Sequence, residues 1–489
     1  MSERAGLLQE LGAWAFDVLV IGGGITGCGV AREAARRGLH VALVEKDDFA
    51  SGTSSRSSRL IHGGVRYLEH GQIRLVFEAS AERRHLLQAA PALVRPLAFT
   101  WPVYAGARIP RWKLGAGLWM YDVLAAFRNV GRHHRLSARE VLVREPRLRA
   151  DGLRGGAAYY DAATNDARLT LANALDAARR GAVVVNHARV RELAMDGDRV
   201  VGAHVVDAFT GAEIRVQAKV VVNAAGPWGG LWAKGQGPRA SEGVVRGSKG
   251  AHVSVPRERI GNSGAVTLLA PSDGRVFFVL PSGAQTIIGT TDSYTDASPD
   301  EVRASASDVE YLLTAANVYY PDAKLTRDDV IAAWAGIRPL VPTSAGSPSA
   351  ASREHKVTRV ARGLVSITGG KLTTYRVMAY DVVRAVAKEL GVGLPPAKAD
   401  DGLAVASDVA PDDIEGAAER AVLEERACTI GDVLIRRTRV AFETKDHGMS
   451  VAPAVAARMG RILRWDGAVD REIERYAEEV RRMFSVDEG

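Results

Sequence analysis

Cysteine is nearly absent: the 489 residues hold two, Cys28 and Cys428. They are too few for a disulfide framework or a cysteine-based metal site, so no metal is expected and a reducing, cytoplasmic setting is the default. No stretch of about 18 apolar residues occurs, which leaves no candidate spanning helix. The first residues, "MSERAGLLQELGAWAFDVLVIGGG", lack a basic start leading into an apolar run and a small-residue cleavage site, so no signal peptide is expected. No internal repeat is visible. A large excess of one charge is also missing, with 64 Lys and Arg against 57 Asp and Glu for a net +7. The basic residues are interspersed with acids, which disfavours a nucleic-acid partner. Arginine dominates the positive charge, and its fork of donors suits phosphate and carboxylate.

What remains is an ordinary globular balance, 47% apolar and 25% charged, in a chain long enough for roughly two to four domains. "FDVLVIGGGITGCGVAREAARRGLHVALVEKDD" reads as a strand at Val18–Ile21, a tight turn, a helix from Ile25 to Arg37 stopped by Gly38, and a strand at Val41–Val44. The turn carries G-x-G-x-x-G at Gly22, Gly24 and Gly27. The first glycine permits the turn, the second lets a pyrophosphate approach the backbone, and the third lets helix and strand pack closely. Glu45 ends the second strand, placed to accept ribose hydroxyls. A bare glycine motif is weak, but one that follows a strand, opens a helix and has its acid predicts dinucleotide binding, FAD or NAD rather than NADP. Cys28 reads as a small buried packing residue.

Further along, the region up to about Asp161 reads as helical and basic. A helix follows Asn165 and stops at Gly181 before a strand at Val183–Val185. A hairpin turns around Thr210–Gly211, and a buried strand at Val220–Val222 leads into "NAAGPW". Residues 244–345 read as strands with Gly and Ser turns, interrupted by a helix near Asp308–Tyr319. "SITGGKLTTYR" repeats the strand–glycine–helix pattern, with a free helix start at Gly369–Gly370 beside Lys371. Two glycine turns this far apart suggest one nucleotide held by discontinuous segments. Gly391–Asp413 reads as a linker, and the tail after it as charged helix.

"GTSSRSSRLIHGGVRYLE", Gly52–Glu69, begins seven residues after Glu45 and is too polar and glycine-rich for a core helix. The bland reading is a solvated basic loop. The functional one runs it along the nucleotide, with serines at the pyrophosphate and His62, Arg66 and Tyr67 near the reactive ring. Arg108–Arg128 places Leu114, Leu118, Tyr121 and Leu124 or Ala125 on one face, with arginines and tryptophans at its flanks. A core helix is the plain reading and a monotopic membrane contact the alternative.

"DVLVIGGGITGCGVA", "GTSSRSSRLIHGGVRYLEHGQIRLVFEA", "YYDAATNDARLTLANA", "VVNAAGPW", "KGAHVSVP", "IIGTTD", "WAGIRPLV" and "GGKLTTYR" resemble the FAD-dependent, respiratory-type glycerol-3-phosphate dehydrogenases over nearly the whole chain. "VGRHHRL" has no counterpart there, and the calcium-binding extension of the longest members is missing. The resemblance implies an α/β and α+β protein. Its FAD-binding Rossmann domain, of the glutathione-reductase/amino-acid-oxidase type, would comprise residues 14–90, 162–235 and 346–392. An antiparallel-sheet substrate cap would span 91–161 and 236–345, and a C-terminal helical domain 400–489.

The implied reaction oxidises sn-glycerol 3-phosphate to dihydroxyacetone phosphate, by hydride transfer from C2 to FAD N5, with a quinone as acceptor. An oxygen-using oxidase is the alternative, and beyond it a related amino-acid or hydroxy-acid oxidoreductase. Arg66, Tyr67, Arg338 and Lys371 would bind substrate. His62 or His252 would take the hydroxyl proton, with Arg338 and Lys371 by the flavin. The implied FAD contacts are Gly22, Gly24, Gly27, Glu45, Thr53, Ser54, Ser55, Ser58, His62, Gly63, Arg189, Val190, Ala225, Gly226, Gly370, Lys371, Leu372 and Thr373. A membrane surface, on the inner face of the cell membrane, and a homodimer stay open as partners.

Overall fold

The computed structural model describes residues 3–65, 72–125, 130–229, 247–339, 354–400, 402–403 and 413–488. Arg66 and Tyr67 lie outside these. The strand Ala15–Ile21 forms the centre of the first sheet, paired in parallel with Val41–Val44 on one side and Glu213–Asn223 on the other. Val183–Val185 extends it beyond Val41–Val44, and Leu364–Gly369 joins on the far side of Glu213–Asn223. These central strands are apolar on both faces, as a parallel sheet covered by helices requires. The helices Ile25–Arg36 and Tyr375–Leu390 pack on one face, with Asp166–Arg179 beside them. Cys28 is fully buried there as a free thiol.

A second, largely antiparallel sheet is built around Gly247–Pro256, Gln285–Gly289, Val276–Ser282, Ala265–Leu269, Val94–Tyr104 and Leu153–Thr164. The last two strands correct the helical reading of the region before Asp161: Val94–Tyr104 and Leu153–Thr164 pair antiparallel over almost their whole length. Val94–Tyr104 lies inside the sheet and has apolar residues on both faces, so it lacks the alternation of a half-buried strand. Its Pro96 and Pro102 also argue against a strand with neighbours on both sides. The unassigned "VGRHHRL" ends in a third strand of this group, His134–Leu136.

The helix predicted near Asp308 starts two residues earlier, at Ala306, where Ser305 and Asp308 form a reciprocal N-terminal cap. The described part of the predicted linker Gly391–Asp413 straps across the helices Ile25–Arg36 and Ile73–Ala89. Lys398 N donates to Arg36 O at 2.9 Å and Leu403 N to Ala89 O at 2.8 Å, while Asp400 pairs with Arg32 at 2.5 Å.

The C-terminal helices dock through buried charge. Asp48, fully buried, accepts from Arg436 Nε at 2.6 Å, from Arg437 Nη2 at 3.0 Å and from Asn186 Nδ2 at 2.9 Å. Both arginines sit on one turn of π-helix, Asp432–Arg437, whose side chains are buried throughout. Arg168 makes a two-pronged pair with Glu425 at 2.6 and 2.8 Å. Around this cluster Phe442, Phe484, Leu434 and Met459 share one apolar core with Trp334 of the second sheet.

Removing one partner of a buried ion cluster leaves charge without compensation, at a cost of roughly 3–5 kcal/mol. Asp48→Asn is therefore expected to lower unfolding stability by about that amount in urea melts. Proteolysis should open the C-terminal helices first. A stability change within a few tenths of a kcal/mol would show that the cluster does not hold the helices.

Candidate active site

Glycine geometry sets the start of the site. A Cβ on Gly27 would lie 1.9 Å from Gly22 O, so only glycine lets the helix approach the strand this closely. Gly22 itself has φ +108°. Gly24 is the N-cap of Ile25–Arg36 and brings no capping side chain. Ser54 Oγ instead accepts from Ile25 N at 2.9 Å, tying the serine loop to the helix start. Glu45 is buried, and its carboxylate accepts from Gly23 N at 2.6 Å and Asp47 N at 2.9 Å. Burial, with Asp47 nearby, pushes its pKa up to about 7.

A cavity of about 730 Å3 opens over this turn. Its wall includes Gly22, Gly24, Ile25, Thr26 and Glu45 from the first glycine turn, and Gly369, Gly370, Lys371, Leu372 and Thr373 from the second. Thr53, Ser54, Ser58 and His62 from the serine loop line it too, as do Arg189, Val190, Ala225 and Gly226. His252 and Arg338 reach it from the second sheet. The two distant glycine turns thus meet at one cavity, and Thr373 joins them: its Oγ1 accepts from His62 N at 3.2 Å and donates to His62 O at 3.3 Å.

Three expected cofactor contacts do not face the cavity. Gly27 serves the helix–strand contact. Ser55 is 2% exposed and is missing from the wall that its neighbours on both sides line. Gly63 N donates to Asp161 Oδ1 at 3.0 Å, and a Cβ there would fall 2.2 Å from Tyr121 Oη, so it packs into the second sheet. A loop of alternating side-chain directions cannot put every serine on one wall, and composition alone does not say which ones turn away.

Arg338 is held on several sides. It donates to Asp292 Oδ1 at 2.9 Å, Ser248 Oγ at 3.3 Å and Thr290 Oγ1 at 3.0 Å. Its charge is thereby oriented and partly balanced before any ligand enters. His252 is 2% exposed, with Nε2 2.8 Å from Ser58 Oγ. Its ring stacks on Trp334 with centroids 5.4 Å apart and planes 10° apart. Burial, then the charges of Arg338 and Arg59, depress its pKa to about 3, so the ring is neutral at physiological pH. The sequence reading missed Arg59, which lies 4.7 Å over the Phe442 ring, and Arg56, which lines the cavity. Both stand in the loop already singled out, where counting arginines gave no basis for choosing among them.

The residues present fit a flavin dinucleotide: a helix start with glycine at its N-cap, a close backbone approach kept open by glycine, an acid behind it, and cations at the cavity wall. The comparisons agree. The family described as FAD dependent oxidoreductase matches residues 17–376, and the C-terminal domain of alpha-glycerophosphate oxidase matches residues 378–469. The aerobic glycerol-3-phosphate dehydrogenase of Staphylococcus aureus strain MRSA252 is 39% identical over 376 residues, covering 77% of this chain and 67% of that protein. The crystal structure of the glycerol-3-phosphate dehydrogenase from Bacillus halodurans complexed with FAD superposes with a TM-score of 0.79 at 29% identity, covering 98% of this chain and 97% of that one. The L-alpha-glycerophosphate oxidase of Mycoplasma pneumoniae shares the fold, with a TM-score of 0.60 at 17% identity over 80% of this chain and 98% of that one. With the two family matches consecutive along one chain and both glycine turns of the cavity inside the first, the protein is an FAD-dependent enzyme that belongs to the glycerol-3-phosphate dehydrogenase family.

Proposed function

We propose that this enzyme oxidises sn-glycerol 3-phosphate to dihydroxyacetone phosphate and that its electrons pass to a quinone at a membrane surface. The observation that carries the reaction is the meeting of Arg338, Lys371, His62 and His252 on the wall of the cavity that holds both glycine turns. When bound, FAD supplies the two-electron acceptor for the hydrogen on C2. Lys371, with Arg66 and Tyr67 outside the described residues, holds the substrate by the resemblance of their motifs, and a guanidinium fork suits a phosphate dianion. Arg338, fixed by Asp292, steadies negative charge developing on the C2 oxygen.

His62 takes the hydroxyl proton. His252 is the weaker base because its protonated form would be buried beside Arg338 and Arg59. Its neutral ring instead keeps Ser58 in place through the 2.8 Å contact.

The quinone reading is supported by the helix Arg111–Leu124, which buries one face and leaves an apolar face exposed. Leu114, Leu118 and Tyr121 are buried in the protein, while Trp112 is 71% exposed, Trp119 58% and Met120 42%. The adjoining helix Ile73–Ala89 exposes Ile73 and Phe77. Large apolar groups on the outer face of packed helices suit an interfacial contact. No helix among the described residues is long and apolar enough to cross a membrane.

Under anaerobic conditions sn-glycerol 3-phosphate should bleach the flavin. A quinone should restore the colour faster than air does; the reverse order would make the enzyme an oxidase. A flavin that stays oxidised with this substrate would reject the reaction itself.

His62→Gln is expected to lower kcat by about a hundredfold or more, the scale of a lost general base. His252→Gln should act mainly on stability. A histidine whose pKa is depressed in the fold contributes stability above its unfolded value, near 6.5, that is lost as pH falls toward about 3. The variant should lose that slope in melts between these pH values. If the acid limb of the activity profile survives in His62→Gln and disappears in His252→Gln, the two roles are exchanged.

Flotation with vesicles tests the surface. Trp112→Ser with Trp119→Ser should reduce vesicle binding at least about tenfold, because two large apolar side chains no longer enter the interface, and dye reduction in solution should be unchanged. Equal flotation of both proteins would remove this helix from the contact.

A further inference from the structure

Arg56 is a cation in an awkward place. It lies in the serine loop, two residues after Ser54, whose Oγ caps the helix start beneath the cavity. It lines the cavity, and its Nε is buried without a hydrogen-bond partner. Among the described residues no carboxylate lies within ion-pair distance of it. Its surroundings are also unfavourable to charge: burial, then Arg482, push its pKa down to about 10 despite the opposing charges of Glu479 and Asp47. Neighbouring arginines meet their charge internally, as Arg436 does with Asp48, Asp432 and Glu479. A charged arginine on a cavity wall, with its Nε buried and no carboxylate within pairing distance among the described residues, calls for an anion from outside the chain.

We propose that Arg56 pairs with the diphosphate of the bound FAD, and that this pairing couples cofactor retention to the C-terminal helices packed behind it. Its place in the serine loop, two residues from the Ser54 whose Oγ caps the helix start, favours the diphosphate over the substrate phosphate. Without the anion, Arg56 is repelled by Arg482 on the last helix, Val469–Phe484, against a weaker pull from Glu479 on the same helix. With the anion present, that repulsion is offset and the helices pack against a balanced site.

The test uses flavin-free protein titrated with FAD, with ADP and adenosine as competing probes. Arg56→Gln should weaken FAD and ADP alike by about tenfold or more, the size of a lost charge-assisted hydrogen bond, and leave adenosine unaffected. Arg56→Lys should recover part of the loss, since the charge remains without the fork. Thermal melts add a readout that a packing role would not give. Flavin-free Arg56→Gln should melt at or above the flavin-free parent, and with saturating FAD it should melt below the parent. Equal FAD affinity in the two proteins would overturn the proposal, as would equal destabilisation with and without FAD. A loss confined to KM for sn-glycerol 3-phosphate would also overturn it, by moving Arg56 to the substrate phosphate.

Discussion

One buried carboxylate joins the parts of this molecule. Asp48 stands three residues after the acid that ends the second strand and four before the start of the serine loop at Gly52. Its oxygens hold Arg436 and Arg437 of the C-terminal helices and Asn186 beyond the strand Val183–Val185. The loop that walls the cavity is therefore anchored from behind by the C-terminal segment. Burying such a cluster is worthwhile only when every member is satisfied, since the desolvation of each charge must be met by close partners. That demand makes the docking of the helices specific as well as stable: Arg436 alone has three carboxylate partners, Asp48, Asp432 and Glu479.

The same logic, at lower charge density, shapes the cavity wall. Arg338 arrives already paired with Asp292, so its fork is aimed but not fully neutralised by the protein. His252 is kept neutral by burial and by two cations, and its stacking on Trp334 continues edge-on to Phe442 at 5.2 Å and from there to Phe484 at 5.0 Å. An aromatic column thus runs from the cavity wall into the C-terminal helices. Aromatic pairs of this kind resist rotation because edge-to-face contacts have a defined geometry, so the wall keeps its shape where a purely aliphatic backing would let the ring tilt.

The nucleotide turn was the most legible element in the sequence. Gly22, Gly24, Gly27 and Glu45 follow from local sterics, and the strand–turn–helix around them needs no distant residue to be recognised. The second glycine turn at Gly369–Gly370 was legible for the same reason, and its convergence with the first required only the idea of one shared ligand. The strands Val94–Tyr104 and Leu153–Thr164 were not legible. In Val94–Tyr104 the apolar faces on both sides and the internal Pro96 and Pro102 erase the period that identifies a strand, and only the partner across the sheet explains why proline is tolerated. The site was readable by motif but not by direction. Ser54 and Ser58 face the cavity and Ser55 turns away, a distinction set by one short helical turn, Thr53–Ser55. Arg56, Arg59 and Arg66 look alike in the sequence; over Phe442 or beside Arg482, the first two have different electrostatic surroundings.

The helix Arg111–Leu124 is apolar on two faces. Its inner stripe, Leu114, Leu118 and Tyr121, recurs at three- and four-residue spacing and is buried. Trp112, Ala116, Trp119 or Met120, and Val123 repeat the same spacing on the opposite side and are exposed. A helix that is apolar on both faces has no single hydrophobic direction, so amphipathic analysis of the sequence returns no answer. Packing of one face against the second sheet uses up the inner stripe and leaves the outer one facing solvent, where a soluble protein gains nothing from two tryptophans. Beside Ile73 and Phe77 of the adjoining helix, that outer stripe forms an exposed apolar patch.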